Sequence, residues 1–239
     1  MQDTIDQWSP RKSLVTHVWW HLALYYVQLG QFEEALSLLD TKIKEDAKEG
    51  KGLFELSDAT SLLMRLELEK RPIGVDLKDR WREIAEIYKN NQMEAAGAVT
   101  FYDFHILIAL LHGDKKKAAH QIIDILESNA DTNGNRWNSY VLSKVGRQLC
   151  KGLLAFSNGE YADCVNFMYP VRHDLVTLIG GSKAQTSILS QILITAAERA
   201  GTEYLSLTKQ LLEEQVAACG YLAENSLHQR IAQRIGNSI

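Results

Sequence analysis

The chain has 239 residues and a mass of 27.0 kDa, with 46% hydrophobic and 23% charged residues. That balance excludes a disordered chain and suits a globular protein of one or two domains. A formal net charge of −4 and a pI near 6.0 exclude an overall cationic field, so no nucleic-acid or membrane partner is expected.

Residues 1–16 form an N-terminal segment that carries acidic residues and no apolar core of the signal-peptide kind. No apolar run approaches the ~18 residues needed to cross a bilayer. Three cysteines (Cys150, Cys164, Cys219) cannot close a disulfide framework, and no Asn-x-Ser/Thr acceptor occurs. These features together predict a soluble protein of a reducing compartment.

The strongest segment runs from Thr16 to Ile43. Trp19, Leu22, Ala23, Tyr26 and Val27 recur at the three-and-four spacing of one helical face. A second helical pattern follows at Ala35, Leu36, Leu38, Leu39 and Ile43, and Gly30 between them is suited to the left-handed conformation that closes a helix. The pair reads as an αα-hairpin. No proline closes it, since Ala47 stands there, so the second helix is expected to run on. Leu53–Leu68 and Leu77–Tyr88 read as two more helices, separated by the breaker Arg71-Pro72-Ile73-Gly74.

Further hairpins are expected to turn at Gly113-Asp114, at Asn158-Gly159 and at Gly201, with spacings of 46 and 42 residues between the later glycines. Lys48–Gly52, Asn90–Gly97 and Asp131–Asn138 read as short polar loops. In Gly180-Gly181-Ser182-Lys183-Ala184-Gln185 the glycines end one helix and Ser182 caps the next, with Gln185 completing a capping box. A phosphate loop is not supported, because no Lys-Ser/Thr pair follows the glycines as that motif requires. Lys115-Lys116-Lys117, the only cationic run, reads as a solvated turn. Cys150 and Cys164 lie on apolar helical faces and are expected to pack as small hydrophobes.

The first hairpin resembles the tetratricopeptide template W-x2-L-G-x2-Y followed by A-x3-F. Trp19-x2-Leu22-Ala23-x2-Tyr26 fills the first half and Ala35-x3-Leu39 the second. Ala23 and Ala35 are small where two helices cross closely, and Trp19, Tyr26 and Phe32 fill the space around the crossing. The later spacings exceed the ~34 residues of the strict repeat. The fold expected is therefore all-α: a right-handed superhelical array of tetratricopeptide-like helical hairpins over residues 17–239, as a single domain. Four pieces further resemble the tetratricopeptide repeat protein 38 family. They are Thr16-His17-Val18-Trp19-Trp20-His21-Leu22-Ala23-Leu24-Tyr25, Leu39-Asp40-Thr41-Lys42-Ile43, Asp103-Phe104-His105 and Gly180 to Gln185. Family members usually follow the last piece with Arg-Asp, where this chain has Thr186-Ser187, and carry a helical region before the first. The resemblance implies the C-terminal half of a cytoplasmic helical-repeat protein, with no established reaction or ligand.

Two site hypotheses follow. In the first, the first helices of the hairpins line a concave groove for a peptide or helix. Trp20, His21, Tyr25, Asp103 and His105 are the candidate groove residues of such a non-catalytic scaffold. In the second, His17 and His21, four residues apart on one helix face, join Asp103 and His105 in a metal or catalytic cluster. Against the second, no Glu follows His17 in the HExxH manner, and Asp-x-His on a helix directs its side chains about 200° apart. Nucleophile elbows, dinucleotide loops, Walker motifs and CxxC pairs are absent, so no cofactor is expected. The partner expected is a protein or peptide.

Overall fold

A computed structural model describes residues 14–45, 52–69, 76–91, 93–131, 137–219 and 227–236. Among these the fold is all-helical, and no strand occurs. Helix α1 (Val15–Gln28) buries Trp19, Trp20, Leu22, Ala23 and Val27. It ends where Gly30, at φ 72°, takes the left-handed conformation. The Gln31 N–H reaches Tyr26 O at 2.9 Å and the Gly30 N–H reaches Val27 O at 3.1 Å, the paired bonds of a Schellman turn. Helix α2 (Phe32–Leu38) returns against α1 and runs on through a π turn at Leu39–Ile43. Ala23 and Ala35 are both fully buried, so the two rods nest closely, as the hairpin reading requires.

The same turn recurs. Helices α3 (Leu53–Leu68) and α4 (Lys78–Asn91) pack together, followed by α5 (Thr100–His112) and α6 (Lys116–Asp131). At the α5–α6 turn the left-handed residue is Asp114, at φ 59°, and Gly113 stays at φ −90°. The hairpin therefore turns at Gly113-Asp114 as expected, with Asp114 and not the glycine taking the left-handed conformation. A Cβ on Gly113 would lie 2.3 Å from Ala85 Cβ and 2.7 Å from Trp81 O, so this glycine exists to admit α4. Helix α7 (Trp137–Val141) continues through a π turn at Leu142–Gly146 into α8 (Arg147–Asn158), and Gly159 at φ 80° repeats the turn before α9 (Tyr161–Met168). Helices α10 (Arg172–Leu178), α11 (Lys183–Ala200), α12 (Leu205–Cys219) and α13 (Leu227–Gly236) complete the order.

The capping box forms as read: the Gln185 N–H donates to Ser182 Oγ, and the Ser182 N–H donates to Gln185 Oε1 at 2.9 Å. The segment 90–97 is less of a loop than expected, since α4 extends to Asn91 and a 3₁₀ turn occupies Met93–Ala95. The breaker at 71–74, most of the 48–52 and 131–138 loops, and residues 1–13 lie outside the described residues. Cys150 and Cys164 are buried free thiols, each pushed up to about 12 by desolvation.

Helices α3 and α5 are buried on nearly every side and occupy the centre, α5 with an almost wholly apolar surface and α3 with Asp58 and Arg65 among its buried residues. α3 packs against α1, α4 and α5, and α5 packs against α3, α4, α6 and α8. These contacts are between sequence neighbours. Another set is not: α11 packs on α3, about 120 residues back along the chain, as well as on α9, α10, α12 and α13. The Arg65 Nη2 donates to Ala184 O at 2.7 Å and to Ser187 Oγ at 3.0 Å across that contact. An array in which each hairpin touches only its neighbours would contain no such return.

Candidate functional site

The i, i+4 spacing of His17 and His21 puts both rings on one face of α1, with centroids 4.6 Å apart. His17 is held tightly. Its Nδ1 lies 2.9 Å from Asp58 Oδ2 on α3, Trp20 stacks on it at 5.0 Å, and Phe54 lies 5.0 Å away. Asp58 is 1% exposed, and burial raises its carboxyl against the opposing bond from His17. The His21 ring is half-buried, and desolvation lowers its pKa, with the neighbouring His17 and Arg65 adding to the effect. His21 has no hydrogen-bond partner among the described residues.

Trp20, placed in the groove by the sequence reading, is fully buried instead. The helix presents it to α3, where the Arg65 guanidinium lies 5.7 Å from its ring. Arg65 itself is 4% exposed. It donates to Ser61 O at 3.0 Å, to Ser61 Oγ, and to the two acceptors on α11. Burial pulls its guanidinium down to about 9, which leaves it charged at neutral pH.

Asp103 and His105 are corrected in the same way, because each is 1% exposed on the nearly all-buried helix α5. Asp103 Oδ1 accepts from the Gly97 N–H at 2.8 Å, holding the loop before α5, while Oδ2 is buried without a hydrogen-bond partner. Desolvation pushes this carboxyl up to about 7. His105 Nδ1 pairs with Phe101 O at 2.8 Å, and burial pulls the ring down to about 3. The set His17, His21, Asp103 and His105 does not assemble. Asp103 and His105 each bond backbone of their own neighbourhood, and His17 bonds Asp58. Among the described residues no three His, Cys, Asp or Glu side chains come together as a metal site.

The remaining two candidates, His21 and Tyr25, share a cleft of about 750 Å³ with Leu29, Gln31, Glu34 and Ala184. Its walls are the outer flank of α1, the Gly30 turn, the start of α2 and the first turn of α11. Tyr25 is 55% exposed and Leu29 43%, in a molecule whose other large apolar side chains are mostly buried. Leu29 and Gln31 were missed by sequence reasoning because turn residues carry no periodic signal, and Glu34 because an exposed acid in the first turn of a helix is ordinary there. Ala184 was missed because its place beside His21 depends on the long-range return of α11.

A larger cavity of about 1110 Å³ lies where the ends of α3, α5 and α8 meet α11 and α13. Its charges are largely closed among themselves. Arg230 pairs with the buried Glu69, and Arg234 Nη2 lies 3.3 Å from Glu198. No helix among the described residues is long and apolar enough to cross a membrane. No protein-family model matches the chain, and no solved structure matches it.

Proposed function

We propose that the protein is a non-catalytic interaction scaffold of the tetratricopeptide kind, related to the repeat protein 38 family and working in the cytoplasm. Its partner is a protein or peptide, not nucleic acid or a membrane. The hairpin geometry supports the repeat reading: Schellman turns recur at Gly30, Asp114 and Gly159, and small buried residues sit at the α1–α2 crossing. The observation that carries the binding reading is the cleft beside α1, where a half-buried imidazole is flanked by the exposed Tyr25 and Leu29. Exposed aromatic and aliphatic side chains around a polar group are the composition of a partner-anchoring surface. The inner faces of α3 and α5 do not supply that surface, because α1, α11 and the neighbouring helices already cover them.

The test is a Tyr25→Ala/Leu29→Ala double variant compared with the wild type by proximity labelling in cells. Both side chains are exposed, so melting should change by less than about 0.5 kcal/mol. The expected result is selective loss of a small set of labelled proteins. An unchanged labelling profile from a folded variant would refute the assignment of the cleft.

A further inference from the structure

We propose that α13 is a clasp released by mild acidification, which opens the cavity of about 1110 Å³ that it walls and frees the Phe32 ring of α2 beside it. The device does not depend on the reading of the cleft beside α1.

α13 is a helix of 10 residues that turns one apolar stripe, Leu227, Ile231 and Ile235, to the protein. A segment that short is marginal as a helix in water. Arg230 and Arg234, four residues apart, also repel each other along it, and burial and Arg234 both lower the Arg230 pKa. The helix is therefore made by its docking. It packs on α11 and α12. Arg230 pairs with the buried Glu69 at the end of α3 and lies 5.8 Å from the Phe32 ring, and Arg234 Nη2 lies 3.3 Å from Glu198 on α11. The fit beneath is incomplete, since Leu227, Arg230 and Gln233 wall the cavity together with Leu68 and Phe156. Two buried polar atoms there, His228 Nε2 on α13 and Thr195 Oγ1 on α11, have no hydrogen-bond partner among the described residues. Each weakens the docked state, because water satisfies such a group and the closed interface does not.

His228 makes the clasp sensitive to acid. Its ring, 7% exposed, shares the buried side of α13 with Leu227 and Ile231, and desolvation pulls it down to about 4. Of the helices packed on α13, α11 carries Lys183, Glu198 and Arg199, and α12 carries Lys209, Glu213 and Glu214. Glu69 and the two arginines of α13 complete the charges around it. None of them sets the ring's protonation, because desolvation is the one cause of its shift. No carboxylate is placed to receive an imidazolium, so the proton is accepted in water and not at the interface. Released, the ring returns to its ordinary 6.5. Docking is therefore fully favoured above pH 6.5 and weakens as pH falls towards 4, with the opening equilibrium about 30-fold larger at pH 5 than at pH 8.

The experiment is native-state hydrogen exchange on the full chain at pH 8 and pH 5, corrected for intrinsic exchange and read separately for α13, α11 and α5. Protection of α13 is expected to fall about 30-fold on acidification, well ahead of α11 and α5. His228→Leu keeps the apolar contact and removes the titration, so its α13 should hold equal protection at both pH values. Arg230→Gln should loosen α13 at both pH values and leave the ratio between them unchanged. A wild-type α13 with pH-independent protection overturns the proposal, as does an α13 that opens only together with α5. An undiminished pH response in His228→Leu overturns it too. NMR titration of the wild-type His228 ring gives a check free of any variant: a midpoint well below 6.5 is expected, and one at 6.5 would refute the clasp.

Discussion

Asp103 shows how far burial alone can reset a side chain. Its sequence context, Asp-Phe-His within a family-like motif, pointed to a polar surface, yet the residue caps the Gly97 N–H from inside the core. The warning was present in the neighbours, because Phe101 to Leu111 is apolar around nearly the whole helix circumference and leaves no wet side. With its folded pKa raised to about 7, Asp103 favours the fold most when protonated. Its contribution is full below the ordinary carboxylate range and is lost as pH climbs from there towards 7. Asp103→Asn keeps the acceptor for Gly97 and removes the ionisation. Urea denaturation should find the variant about 1–3 kcal/mol more stable than wild type at pH 8, with the gap closing at pH 5. His105 and His228 act oppositely, since burial holds them down to about 3 and about 4, and their contribution fades as pH falls below 6.5.

At the scale of the element, the hairpin turns separate two uses of glycine that look alike in a sequence. Gly159 has φ 80° and nothing within 4 Å of where a Cβ would stand, so it answers a backbone requirement. Gly113 has an ordinary φ and a neighbour's backbone at its α-hydrogen, so it answers a packing requirement. Gly159→Ala should cost about 1 kcal/mol, the strain of a left-handed L-residue. Gly113→Ala should cost about 3 kcal/mol or more, because α4 must shift to admit the methyl group. Thermal unfolding of the two variants checks the order, and a larger loss at Gly159 would refute it. The α1–α2 hairpin and the Ser182 capping box were legible because their signals are local: a period of three to four residues, and an N-cap with its partner three residues on. Which glycine turns and which one yields space was not legible, because α4 had to be in place to decide it. The π turn at Leu39–Ile43 was likewise invisible, though its purpose is plain in the fold. Asp40 within it meets Arg80 of α4 through three hydrogen bonds, the shortest 2.6 Å.

Over the whole molecule, the decisive contact is the return of α11 to α3. Nearest-neighbour reasoning covers α1 to α9 and stops there, because nothing in a helical period announces a contact between segments 120 residues apart. Trp20 is in the core partly on this account, since it lies beside the Arg65 that α11 clasps. Arg65→Ala removes the clasp and leaves Ser187 and Ser61 facing a void. It should lower stability by about 2–4 kcal/mol, and native-state hydrogen exchange should show α3 and α11 losing protection together. Independent loss in the two helices would show that the contact is incidental. The same return has a bearing on how the chain is made. A ribosome delivers α1 to α9 first, and those hairpins emerge with α3 still lacking a wall that only the last quarter of the polypeptide can furnish. Synthesis therefore passes through a stage at which finished secondary structure must wait, with a sticky and charged flank open, for a helix not yet translated.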